Sequence, residues 1–154
     1  MNKTLLTKEQ ALQKIKQYCI YQERCHIEVR EKLYLFGLNV KDADQVVSQL
    51  TEENYLNEER FAIQYAGGKF RIKQWGKAKI KHALKQKQVS VYMIKKALSQ
   101  IDEEDYINTL NKLAERKLKE LKGEKNIFIK RRKLQNYLLQ KGYEPELVRA
   151  VLKT

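Results

Sequence analysis

Two cysteines and two histidines are the side chains of this 154-residue chain best suited to metal or nucleophilic chemistry. Cys19 and Cys25 stand six positions apart, His26 follows the second, and His82 lies far downstream. A structural zinc site takes four ligands in closely spaced pairs. This spacing does not supply them, so no metal is expected and both thiols are expected to be reduced. The carboxylates fall where they would cap helices, no glycine-rich phosphate loop is present, and neither histidine sits in a nucleophile arrangement. The sequence therefore reads as a protein without catalysis or cofactor, and the chemistry left to it is that of charge.

That chemistry is concentrated. From Lys69 to Ile101 there are ten Lys and Arg and no acid. Lys73, Lys77, Lys81 and Lys85 recur every fourth residue, so a continuous helix would carry them as one stripe opposite Ile80 and Leu84. Like charges at that spacing repel, which points to phosphate contacts, although a solvated face is the ordinary reading of such lysines. Lys69, Arg71 and Lys79 extend the same basic region. Trp75 sits among these lysines, where an indole could stack on a base or plug a helix junction. Lys130, Arg131, Arg132 and Lys133 form a second basic cluster. Over the whole chain 32 Lys and Arg face 19 Asp and Glu, a net charge of +13, and the expected partner is a polyanion, nucleic acid first. No apolar run approaches the length of a membrane span. The residues after Lys3 include only Leu5 and Leu6 as an apolar pair, too little for a signal peptide. A cytoplasmic protein with no membrane partner is expected.

The elements that position these charges read as helices throughout, with a single proline and six glycines. Thr7 and Gln10 make a capping box for a first helix reaching about Tyr21. Val29, Leu33 and Phe36 mark a second helix that Gly37 is placed to end in the left-handed conformation, and Ala43, Val46, Val47 and Leu50 mark a third. The pattern then recurs. A shift of 51 carries Val29, Leu33 and Gly37 onto Ile80, Leu84 and Gln88, and a further shift of 54 reaches Leu134, Leu138 and Gly142. The expected fold is all-α: three tandem three-helix repeats over residues 1–56, 57–101 and 102–154, forming one elongated array that can curve along another polymer. The cluster at Lys130 then falls on Lys77 to Lys79, so two middle helices carry basic surfaces.

The helix start at Asn57 carries the most diagnostic residue order. Asn57 is an N-cap, Glu58 and Glu59 suit the first turn, and Leu56 and Phe61 are spaced for a hydrophobic staple. Arg60 is ambiguous: it suits a partner interface or a structural pairing with an acid such as Glu53 or Glu103. The run Tyr55, Leu56, Asn57, Glu58, Glu59, Arg60, Phe61, Ala62, followed by Lys69, Arg71, Trp75, Gly76, Lys79, Ile80 and Leu84, resembles the signature of the RecX family, regulators of the RecA recombinase. It departs at Glu58, where an aspartate is usual, and at Gln88, where a glycine is common. The resemblance implies a monomer that binds RecA filaments, in the filament groove near the DNA, and restrains strand exchange, ATPase and coprotease activities. Two other readings of the residues remain: a helix-turn-helix-like protein acting on duplex DNA without RecA, and a basic helical scaffold for protein interactions.

Overall fold

The computed structural model describes residues 5–153. Lys3 and the outermost positions of the first and third expected repeats lie outside them. Among the described residues there are nine helices and no strand. They are α1 (Lys8–Tyr21), α2 (His26–Leu35), α3 (Val40–Glu52), α4 (Glu58–Lys73), α5 (Lys77–Gln86), α6 (Val91–Ser99), α7 (Glu103–Glu120), α8 (Ile127–Gln140) and α9 (Pro145–Leu152).

Short polar side chains start most of them. The Thr7–Gln10 capping box forms as expected, with Oγ1 of Thr7 accepting from the Gln10 amide at 3.1 Å and the Gln10 side chain returning a bond at 3.0 Å. Asn39, Asn57, Ser90, Asp102 and Asn126 each accept from an amide in the first turn of α3, α4, α6, α7 and α8. Pro145 opens α9, where its missing N–H costs nothing.

The repeat is visible in the backbone. The register-matched residues Gly37, Gln88 and Gly142 all take positive φ, at 97°, 60° and 103°. Each ends the middle helix of its unit with the same pair of bonds. The amide of the next residue (Leu38, Val89 or Tyr143) reaches back to the carbonyl of Leu33, Leu84 or Leu138 at 3.1–3.2 Å. Gln88 adopts the turn that a glycine makes more cheaply, so the substitution keeps the geometry and carries the strain. One middle helix differs: α8 begins four residues earlier in register than α2 and α5, and the added turn is Ile127–Lys130.

Apolar faces at helical spacing assemble two cores. Ala11, Ile15, Val29, Leu33, Ala43, Val46, Leu50 and Leu56 close the first, within α1 to α3 and the link after it. The second is continuous through α4 to α9, from Phe61 and Ala62 to Leu138, Tyr143 and Val148, and it takes in Cys25 from the first unit. Leu56 and Phe61 are both buried but belong to different cores, so the expected staple does not form. Each anchors one side of the junction instead.

Candidate nucleic-acid interface

The stripe expected at Lys73, Lys77, Lys81 and Lys85 is divided by the fold. Lys73 is the last residue of α4, Gln74 turns the chain with φ 58°, and α5 starts afresh at Lys77. Lys77 is then drawn into packing: its ammonium lies 3.6 Å from Glu103 and 4.8 Å from the centre of the Tyr106 ring. Lys81 and Lys85 remain together on the outer face of α5, exposed, with buried Ile80 and Leu84 behind them. No acid pairs with either among the described residues, whereas Lys77, Lys87 and Lys96 of the same acid-free segment find Glu103, Glu28 and Glu59 from neighbouring elements.

Trp75 combines two roles. It is half-buried against the second core, and Lys69 and Lys79 stand over its ring at 5.1 and 4.8 Å. The lysines cover the indole face that would receive a base, and each cation gains from the ring quadrupole. Lys69 also lies 5.4 Å from the Tyr65 ring, and Arg71 is exposed one turn from Gly67. On α8, Lys133 pairs with Glu124 at 3.7 Å, and Arg131 donates to the Leu152 carbonyl at 3.0 Å. Arg132 is exposed and Lys130 half-exposed.

Among the signature residues Arg60 crosses the joint between the first two units, and the others make contacts within one unit. The Asn57 side chain accepts from the Arg60 amide at 2.8 Å, Glu58 accepts from the Ser90 amide at 2.7 Å, and Ala62 is fully buried. Tyr55 sits 5.2 Å beneath Lys16. Neither Glu53 nor Glu103 is the partner of Arg60. The Arg60 guanidinium pairs with Glu23 and donates to the Asn54 side chain and carbonyl at 3.2 and 3.0 Å, while Glu53 pairs with Lys16 and Glu103 with Lys77. Glu23 lies in the α1–α2 link, a region without any sequence pattern that singles it out.

A second joint, between the second and third units, is made largely by backbone. The Gly76 amide donates to the Lys141 carbonyl at 2.8 Å, and the Ala78 amide to the Gly142 carbonyl at 2.9 Å. The Tyr106 hydroxyl accepts from the Lys77 amide at 2.8 Å and donates to Glu144, while the Tyr143 hydroxyl donates to the Gln74 carbonyl at 3.0 Å. Burial raises the pKa of both phenols, so they stay protonated donors. Burial likewise pushes the Cys19 and Cys25 thiols up to about 11, which keeps them unreactive. No cluster of His, Cys, Asp and Glu suited to a metal is present among the described residues.

These features define a class first: an all-helical protein of tandem three-helix units, two of whose middle helices, α5 and α8, carry basic residues. Residues 57–98 match the family model for the second three-helix domain of RecX, and residues 103–152 match the model for the third. The chain is 36% identical over 127 residues to the regulatory protein RecX of Clostridium perfringens, covering 82% of this chain and 59% of that protein. It is 30% identical over 152 residues to that of Clostridium acetobutylicum, covering 97% and 68%. A crystal structure of RecX from Lactobacillus salivarius superposes with a TM-score of 0.84 at 20% identity, covering 95% of this chain and 94% of that one. The chain belongs to the RecX family, and it spans about 59% of the length of relatives such as the Clostridium perfringens protein.

Proposed function

We propose that this chain regulates RecA by binding its filament without chemistry of its own, as a monomer in the cytoplasm. The units, taken as residues 1–56, 57–101 and 102–154, lie along the filament groove near the DNA and restrain strand exchange, ATPase and coprotease activities. Family membership supports the regulatory role, and the basic surface supports the location. The observation that carries the reading is the pair Lys81 and Lys85, exposed on α5 within a 33-residue segment that contains no acid. Such a face meets phosphate at little desolvation cost because no local carboxylate has to be displaced. Lys73, Lys130 and Arg132 are the further candidates, and Lys77 contributes mainly to packing.

The test compares wild-type protein with a Lys81→Gln, Lys85→Gln variant on RecA-coated single strands, naked single strands and duplex. Each phosphate that is no longer neutralised should lower the salt slope of binding by roughly 0.7–0.9. The variant should stay helical and inhibit RecA ATPase less. Unchanged salt dependence and undiminished inhibition would return these lysines to a solvated face. Sequence-specific duplex binding without preference for RecA would favour the helix-turn-helix reading.

A further inference from the structure

The first unit carries a line of rings and cations that its packing does not require. Lys14, Tyr18 and Tyr21 share one face of α1, at i, i+4 and i+7. The Arg24 guanidinium lies 3.6 Å from the centre of the Tyr18 ring and 5.9 Å from that of Tyr21, and it is fixed there because its Nε donates to the Tyr18 carbonyl at 3.0 Å. Lys32, on α2, stands 5.6 Å from the Tyr18 ring and 5.6 Å from the Phe36 ring. Ring and cation therefore alternate across the surface in the order Phe36, Lys32, Tyr18, Arg24, Tyr21.

The carboxylates of this neighbourhood are engaged or turned aside. Glu28 accepts from the Cys25 amide at 3.0 Å and pairs with Lys87 at 3.7 Å, and Glu23 pairs with Arg60. Glu31 falls on the next row of α2, with Ile27 and Leu35, away from the row of Lys32 and Phe36. Tyr21 is the open end of the line: it is 83% exposed, and Arg24 approaches only the margin of its ring. Trp75 is the reverse case, half-buried with two lysines over its face.

We infer that this line on the first unit is a track for single-stranded nucleic acid, with an unpaired base stacked on the Tyr21 ring and the flanking phosphates on Lys14, Arg24 and Lys32. An open ring beside fixed cations takes any base, because every base has a π-face. Duplex is disfavoured because each of its bases already stacks on both sides. The track is separate from Lys81 and Lys85 and does not depend on RecA.

The test titrates the full chain into fluorescein-labelled oligothymidylate, an abasic deoxyribose-phosphate strand of the same length and a duplex of that length, read by fluorescence anisotropy. Tyr21→Ala should weaken oligothymidylate about fivefold or more and leave the abasic strand, the duplex and the salt slope unchanged. Tyr21→Phe keeps the ring and should bind as wild type. Arg24→Gln should weaken both single strands and lower the salt slope by about 0.7. Leu35→Ala removes another exposed apolar side chain of the same unit and should change nothing. Circular dichroism confirms that each variant folds. The proposal is overturned if Tyr21→Ala binds oligothymidylate as wild type, if Tyr21→Phe loses as much as Tyr21→Ala, or if the abasic strand weakens in equal measure. It is also overturned if single-strand binding survives these changes while binding to DNA-free RecA falls, which would make the line a protein surface.

Discussion

At the joint between the second and third units the Gly76 amide reaches a carbonyl of the next unit. At the joint between the first and second, the register-matched residue is Cys25, whose amide turns back to its own Glu28 at 3.0 Å. The surfaces correspond but the bonding does not. Two glycines make the later joint: a Cβ on Gly76 would lie 2.3 Å from the backbone of Gly142, so only glycine allows the two segments to touch. Phe70, Tyr106 and Tyr143 continue that contact as a stack, with ring centres 5.7 and 5.1 Å apart.

The earlier joint has Cys25 and Gln88 where the later one has Gly76 and Gly142, and the backbones stand off. Between them lies a cleft of about 160 Å³ lined by Cys25, His26, Arg30, Glu58, Lys87 and Gln88 among others. Side-chain charge bridges the gap, through Lys87 with Glu28 at 3.7 Å and Arg60 with Glu23. One oxygen of Glu23 is buried with no hydrogen-bond partner, which marks this bridging as incomplete. The comparison teaches that units repeated in register can be joined in different ways according to two positions: the second and third units share backbone bonds across their joint, and the first is held by ion pairs, by the Arg60–Asn54 hydrogen bonds and by Cys25 in the second core.

The largest way to break the difference is Gly76→Val. It forces the later joint apart, removes two backbone bonds, and should cost about 3 kcal/mol or more. Urea unfolding followed by Trp75, the only tryptophan, should show a lower midpoint and a broadened transition as the second and third units separate. An unchanged midpoint would mean that the glycine contact is not what joins them.

Arg60→Ala acts on the earlier joint. It leaves Glu23, partly buried, without its cation, and should cost about 1–2 kcal/mol after allowance for solvent screening. Cys25, buried at that joint, should then react with a thiol reagent several-fold faster, while the Trp75 environment is unaltered. If stability holds and only RecA binding is lost, Arg60 belongs to the partner surface. The smallest change runs the other way. Gln88→Gly relieves a left-handed residue and should stabilise by about 0.5–1 kcal/mol, read as a small rise in the urea midpoint.

Much of this fold was legible because its signals are local. Thr7 and Asn57 bond to amides within their own first turn, so sequence alone placed those helix starts. Gly37 and Gly142 at matched positions disclosed the repeat. The seams were not legible, since Gly76 meets Gly142 and Arg60 meets Glu23 only once the units have packed, and neither spacing follows a helical period. The basic face was half legible: composition located the lysines, but Gln74 in the left-handed conformation separated Lys73 from the rest and packing claimed Lys77.

Amide hydrogen exchange measures the two joints in one experiment. The amides of Gly76 and Ala78 have their partners across the later joint, so they exchange only when the second and third units part. Both should be protected about as well as the core amides of α7, and the Cys25 amide, bonded to a side chain of its own unit, should exchange far faster. Rapid exchange at Gly76 and Ala78, equal to that at Cys25, would contradict a later joint closed by backbone bonds and an earlier one held by side chains.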